Sequence, residues 1–285
     1  MKLLRYGPAG SERPGVLLDD GRLLDVSAEV DDYGPAFFAG EGVDGVRELI
    51  ASRGSGLPTV EVDDVRLGPP IARPHKLMCV GLNYADHAAE SGQPVPAEPI
   101  VFSKATNTIV GPDDEVLLPR GSVKSDWEVE LAVVLGATAR YLPDEAAAMR
   151  TIAGYCISND VSEREFQLER GGQWVKGKSC ETFNPLGPWL VTADEVGDPQ
   201  RLDLSLALNG TTVQSGNTET MIFGVAHLVW YLSQFMVLEP GDLLNTGTPP
   251  GVGMGMEPQR FLQEGDVMEL EVAGLGRQRQ VCGRA

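Results

Sequence analysis

Apolar residues fall along this chain in short runs punctuated by glycine, proline and polar clusters, and few of them recur at helical spacing. From residue 75 onward such runs predict strands over 76–81, 100–103, 115–118, 129–135, 151–158, 189–192, 204–208, 242–245 and 267–272. Helical stretches are fewer, over 84–91, 162–169 and 223–235. Regular β-α-β alternation is absent, so a doubly wound sheet is not expected. The pattern predicts an α+β fold with a mainly β, mixed-sheet core. Residues 1–70 read as a small N-terminal α+β domain, with strands over 2–5, 15–18 and 22–25 and a helix over 44–53. The run Gly68-Pro-Pro-Ile-Ala-Arg-Pro74 suits a linker, because its prolines lack N–H donors and fix φ. Residues 71–285 then form the main domain.

One predicted strand carries charge where apolar packing would be ordinary. In Asp126-Trp-Glu-Val-Glu-Leu-Ala-Val-Val-Leu135, strand alternation puts Glu128 and Glu130 on one face, and Trp127, Val129, Leu131 and Val133 on the other. Two carboxylates a few ångströms apart on a half-buried face repel and lose hydration. A divalent cation would neutralise them, and a third carboxylate, Asp160, is offered by Ser158-Asn-Asp-Val-Ser162. Oxygen-only ligands suit Mg²⁺, Mn²⁺ or Ca²⁺ better than zinc. The alternative is a solvated Glu-x-Glu pair on an exposed sheet face.

With 285 residues and 42% hydrophobic content, the chain can bury a sizeable core. No apolar run approaches the ~18 residues of a membrane span, and no basic-then-apolar leader opens the chain, so a soluble, cytoplasmic protein is expected. The four cysteines lack C-x-x-C spacing, which fits reduced thiols. A net charge of −18 argues against nucleic-acid and anionic-membrane partners, and leaves an acidic small molecule in need of local positive charge.

Of the three histidines, His227 sits in an apolar helical run and His75 beside the linker. His87 lies in Gly81-Leu-Asn-Tyr-Ala-Asp-His-Ala-Ala-Glu-Ser-Gly92, where Asn83 can cap a short helix and Gly92 can end it. His87 and Glu90, three apart, would share a helix face, and a carboxylate on imidazole fixes its tautomer as a general base requires. Surface pairing is the plainer reading of such a pair. The segment Gly171-Gly-Gln-Trp-Val-Lys-Gly-Lys-Ser179 presents Lys176 and Lys178 among residues that permit close backbone approach, a source of counter-charge for an anion. The stretch Asn245-Thr-Gly-Thr-Pro-Pro-Gly-Val-Gly-Met-Gly255 has neither dinucleotide nor P-loop spacing, although its amides and the Thr246 and Thr248 hydroxyls could hold a carboxylate.

Five stretches, in order over residues 75–275, resemble the fumarylacetoacetate hydrolase family: Gly81-Leu-Asn-Tyr-Ala-Asp-His-Ala-Ala-Glu90, Ser125-Asp-Trp-Glu-Val-Glu-Leu131, Ser158-Asn-Asp-Val-Ser-Glu-Arg164, Gly177-Lys-Ser179 and Thr246-Gly-Thr-Pro-Pro-Gly-Val-Gly253. The resemblance implies a mixed-β catalytic domain, a small N-terminal domain and a homodimer. It implies an Mg²⁺ or Mn²⁺ site from Glu128, Glu130 and Asp160, without the fourth acidic ligand that the founding member carries near the position of Asn83. It also implies a catalytic dyad of His87 and Glu90 on a lid helix, an active-site lysine at Lys178, ligand contacts from Arg164 and Gln167, and a substrate-carboxylate contact at Thr248.

The chemistry so implied is hydrolysis of the C–C bond of a 2,4-diketo acid, an acylpyruvate or a 2,4-diketo-3-deoxy sugar acid, to pyruvate and a carboxylic acid. Oxaloacetate decarboxylation and 2-hydroxyhepta-2,4-diene-1,7-dioate isomerisation are the alternatives on the same site. Phe166-Gln-Leu-Glu-Arg-Gly-Gly-Gln-Trp174 resembles members assigned to the deoxy sugar acids, and Gln167, Arg170 and Gln173 would suit a hydroxylated tail. A binding or scaffold protein, its acidic pair merely solvated, is the non-enzymatic alternative.

Overall fold

The computed structural model describes residues 1–86 and 94–285. Its backbone is one long mixed sheet, a second five-stranded sheet and a short two-stranded ribbon. The long sheet runs, by hydrogen-bonded neighbours, Thr59–Val60, Leu23–Asp25, Arg13–Leu17, Lys2–Tyr6, Asn184–Thr192, Ile152–Asn159, Val129–Leu135, Leu243–Asn245, Leu77–Gly81 and Ile100–Lys104. The boundary expected at residue 70 does not interrupt it, because Lys2 and Leu3 pair with Val191 and Leu190.

Val129–Leu135 lies in the middle of this sheet and is buried along its whole length. Its two faces feed two different cores. Val129, Leu131, Val133 and Leu135 pack with Leu204, Leu206 and Leu270 of the second sheet. Ala132 and Val134, on the face shared with Glu130, pack with Leu77, Cys79, Phe38 and Val46. Val46 belongs to the helix Gly42–Arg53, so the N-terminal region roofs this side of the sheet. Trp127 is fully buried on the apolar side, as the alternation requires.

The second sheet runs Thr211–Asn217, Asp203–Leu208, Val267–Val272, Gly276–Arg284 and Val116–Leu118. Two of these strands carry no apolar alternation. Thr211–Asn217 follows a two-residue turn at Asn209-Gly210, both at positive φ, the conformation that an Asn-Gly hairpin needs. Gly276–Arg284 turns glutamines inward: Gln278 and Gln280 are buried, and the Gln278 amide donates to the Ile157 and Gly187 carbonyls at 2.8 and 3.0 Å. The segment expected as a helix over 162–169 divides. Ser162–Glu163 pairs with Ser125–Asp126, and a wide π-helical turn follows over Glu165–Glu169.

Leu131 is fully buried between the sheets. Leu131→Ala should cost about 2–5 kcal/mol, read as a lower denaturant midpoint with an unchanged slope.

Candidate metal centre and cavity

Strand pairing brings the acidic residues together. Val129 is paired with Asn159 and Glu130 with Ser158, and the Asp160 N–H donates to the Glu128 carbonyl at 2.9 Å. Glu128 therefore sits across from Asp160, with Glu130 two residues along on the same face. The regular strand starts at Val129, and Glu128 occupies the irregular residue just before it. Ligand oxygens of Glu128, Glu130 and Asp160 all lie within 4.8 Å of one another, and all three residues are buried.

Each carboxylate is answered differently. Glu128 receives Lys178 Nζ at 2.7 Å and Arg164 Nη2 at 2.7 Å. Asp160 receives Lys178 Nζ at 3.0 Å on one oxygen and Lys104 Nζ on the other. Glu130 takes the Gly247 N–H at 2.8 Å and forms no ion pair with the described residues. That amide reaches Glu130 because Gly247 adopts φ +99°, where a Cβ would lie 2.7 Å from the Cβ of Asn83. Burial, then the charges of Asp160 and Glu128, hold the Glu130 carboxyl well above the ordinary carboxylate range. Burial alone would lower the Lys178 ammonium, but Asp160 and Glu128 outweigh it and raise it.

The donor set fits a hard dication. Among the described residues it offers three carboxylates and no sulfur or imidazole, and one of the three, Glu130, is buried without a cation partner there. Counting Asp126, four carboxylates face three cations, Lys104, Arg164 and Lys178. With all four ionised, as a bound dication would require, the formal surplus is one negative charge, and the dication would turn it positive toward an anionic ligand.

Three supports were not singled out by sequence reasoning. Lys104 closes the strand Ile100–Lys104 with its side chain wholly buried, donating to Asp160 and to the carbonyls of Val161 and Phe183 at 3.1 and 2.6 Å. A lysine ending an apolar run was the available signal. Asp126 is buried and accepts from Arg164 Nε at 2.8 Å, Gly253 N–H at 2.7 Å and Met254 N–H at 3.0 Å, so it aims the guanidinium and ties down the 253–254 loop. Asn159 accepts the Glu128 N–H at 3.2 Å and donates to Gln280 at 3.1 Å.

A cavity of about 600 Å³ opens above the acidic cluster. Glu128, Glu130, Arg164, Gln167, Lys178 and Thr248 line it. Arg164 Nη1 donates to the side-chain amide oxygen of Gln167 at 3.1 Å. The Thr248 hydroxyl donates to the Val129 carbonyl at 2.9 Å and accepts from Gln214 at 2.8 Å. Lys178 ends the helix Val175–Lys178, which can press against Glu163 and Gln167 because Gly177 has no side chain; a Cβ there would stand 2.3 Å from the Glu163 carbonyl. His87 and Glu90 lie outside the described residues. Asn83, considered as a helix cap, uses its side chain to bridge Phe223 and the Thr246 carbonyl. Arg170 turns to Glu165 and the Phe166 ring, and neither it nor Gln173 lines the cavity.

Residues 76–282 match the model of the fumarylacetoacetate (FAA) hydrolase C-terminal region. The chain belongs to the fumarylacetoacetate hydrolase family. A Burkholderia lata protein, named provisionally as a hydrolase, is 55% identical over 281 residues, 98% of each chain. The solved 2-hydroxyhepta-2,4-diene-1,7-dioate isomerase of Mycobacterium marinum is 32% identical, with a TM-score of 0.77, over 100% of this chain and 98% of that one. The maleylpyruvate hydrolase of Sphingobium sp. SYK-6, solved with manganese(II) and pyruvate, is 27% identical, with a TM-score of 0.83, over 100% of both chains. Hydrolases and isomerases of this family thus share the fold. No helix among the described residues is long and apolar enough to cross a membrane.

Titration calorimetry should show Mn²⁺ or Mg²⁺ binding to the wild-type protein. Glu130→Gln should weaken it by roughly 100-fold or more, and Asp126→Asn, which loosens Arg164 without removing a ligand, by about tenfold.

Proposed function

We propose that this protein is a Mg²⁺- or Mn²⁺-dependent hydrolase that cleaves the C–C bond of a 2,4-diketo acid to pyruvate and a carboxylic acid. The observation that carries this reading is the buried carboxylate trio at the base of a cavity, with Lys178 and Arg164 beside it. The Sphingobium maleylpyruvate hydrolase, solved with manganese and pyruvate, supports the choice of cation and product. A bound dication would supply Lewis-acid stabilisation of negative charge on the substrate's 2-oxo carboxylate end.

The chain's own residues do the rest. Lys178 and Arg164, both buried, add positive charge where the anionic end sits. His87, its tautomer fixed by Glu90, takes a proton from water, and the hydroxide adds to the C4 carbonyl. The C3–C4 bond then breaks. Its electron pair leaves with the three-carbon fragment, which takes up a proton to become pyruvate, while C4 becomes the carboxylic acid. General-base assistance of this kind is worth roughly 10²–10⁴-fold.

A second reading is isomerisation or oxaloacetate decarboxylation on the same cluster, and the likeness to the Mycobacterium marinum isomerase supports the first of these. Neither needs water activation. A panel of 2,4-diketo acids should release pyruvate in the presence of Mg²⁺ or Mn²⁺ and not after EDTA. His87→Ala should reduce that release by roughly 10²-fold or more while sparing oxaloacetate decarboxylation. Full-rate cleavage in that variant would remove the dyad from the mechanism, and release indifferent to EDTA would remove the metal. We also propose a homodimer, which light scattering should report as twice the 30.5 kDa chain mass.

A further inference from the structure

We propose that the acyl tail this site accepts is uncharged and ends in an apolar group, so that the natural substrate carries a single carboxylate, at its 2-oxo end. The inference rests on the functional reading above and narrows it to a substrate class.

The cavity lining is of two kinds, charged or polar side chains around the acidic cluster and apolar ones elsewhere. The first kind is the acidic cluster with Arg164, Lys178, Gln167 and Thr248. The remaining wall is made chiefly by Val80, Leu82, Ile100, Phe102, Leu168 and Trp174. Phe102 meets both kinds, with Lys178 Nζ 5.0 Å above its ring and the Trp174 ring edge-on at 5.2 Å. Trp174 closes down on Gly81, where a Cβ would stand 2.6 Å from the indole. The indole can pack this closely because Gly81 has no side chain.

A tail ending in a second carboxylate would need a cation at that wall. Among the described residues lining the cavity, the cations are Arg164 and Lys178, and both are spent at the acidic cluster. Arg164 divides its three nitrogens among Asp126, Glu128 and Gln167. Lys178 is held by Glu128 and Asp160. Residues 87–93 contain no lysine or arginine, and their one histidine, His87, is assigned above to the attacking water. A carboxylate held against these apolar side chains would give up part of its hydration with no counter-charge in return. A hydroxyl there fares better but finds few partners, since Gln259, at the exposed rim, already donates to the Met254 carbonyl. A methyl or aryl end loses nothing and gains burial.

The test compares three six-carbon 2-oxo acids that differ only at the far end: 2-oxohexanoate, 6-hydroxy-2-oxohexanoate and 2-oxohexanedioate. All keep the 2-oxo carboxylate and none has a C4 carbonyl, so binding is read apart from cleavage. Calorimetry on the Mn²⁺-loaded full-length protein should rank them methyl first, hydroxymethyl several-fold weaker, and carboxylate weaker by roughly tenfold or more. Leu168 is 42% exposed, so Leu168→Arg should fold, and it should narrow or reverse the gap for the dicarboxylate. Tighter binding of 2-oxohexanedioate by the wild-type protein, or a ranking that Leu168→Arg leaves unmoved, would overturn the proposal. Should no 2,4-diketo acid release pyruvate while the ranking holds, the hydrolase reading falls and the tail assignment stands. Absence of binding by all three ligands would overturn both.

Discussion

Carboxylates buried inside a β-sheet cannot rely on water, and this constraint organises most of what surrounds Glu128, Glu130 and Asp160. Neighbouring strands bring the three together at no conformational expense, because cross-strand pairing and the two-residue alternation place them there. The cost lies in repulsion and desolvation, and it is offset locally. Two lysines, an arginine and one turned glycine amide point inward, each from a different segment. Glu130, which has no cation partner among the described residues, leaves the place that a metal ion would fill.

A second polar layer lies beneath the first. Gln278 and Gln280 occupy core positions that a β-sandwich would ordinarily give to valine or leucine, and Asn159 links them to the backbone of Glu128. Amides in these positions hold donors and acceptors in fixed directions, and so carry orientation from the second sheet into the acidic cluster. The ladder that shapes the site therefore extends beyond the residues that would touch a ligand.

Much of this was legible in the chain. The strand Val129–Leu135 and the division of its side chains between two faces follow from alternation alone, while the acidic trio was marked by the Glu-x-Glu pair and, through the family resemblance, by Asp160 downstream. What escaped did so for physical reasons. Gly276–Arg284 conceals its inward face because glutamine, not an apolar residue, fills it. Thr211–Asn217 is an exposed strand, and its mark was the Asn-Gly turn rather than its own composition. Lys104 and Asp126 take their importance from partners far along the chain, Asp160 and Arg164, which spacing does not reveal. Gln167 and Arg170 are near neighbours in the sequence, yet the wide turn Glu165–Glu169 sends the first inward and the second outward.

The continuity of the long sheet bears on how small the working unit can be. Lys2–Tyr6 shields one border of Asn184–Thr192, whose Leu190 and Val191 are buried. Trimming the first seventy residues to reach a minimal catalyst would leave that border bare, with unmet backbone groups and an oily face open to other chains. In this protein the segment that looks like an appendage serves as a hem, and cutting it away invites aggregation.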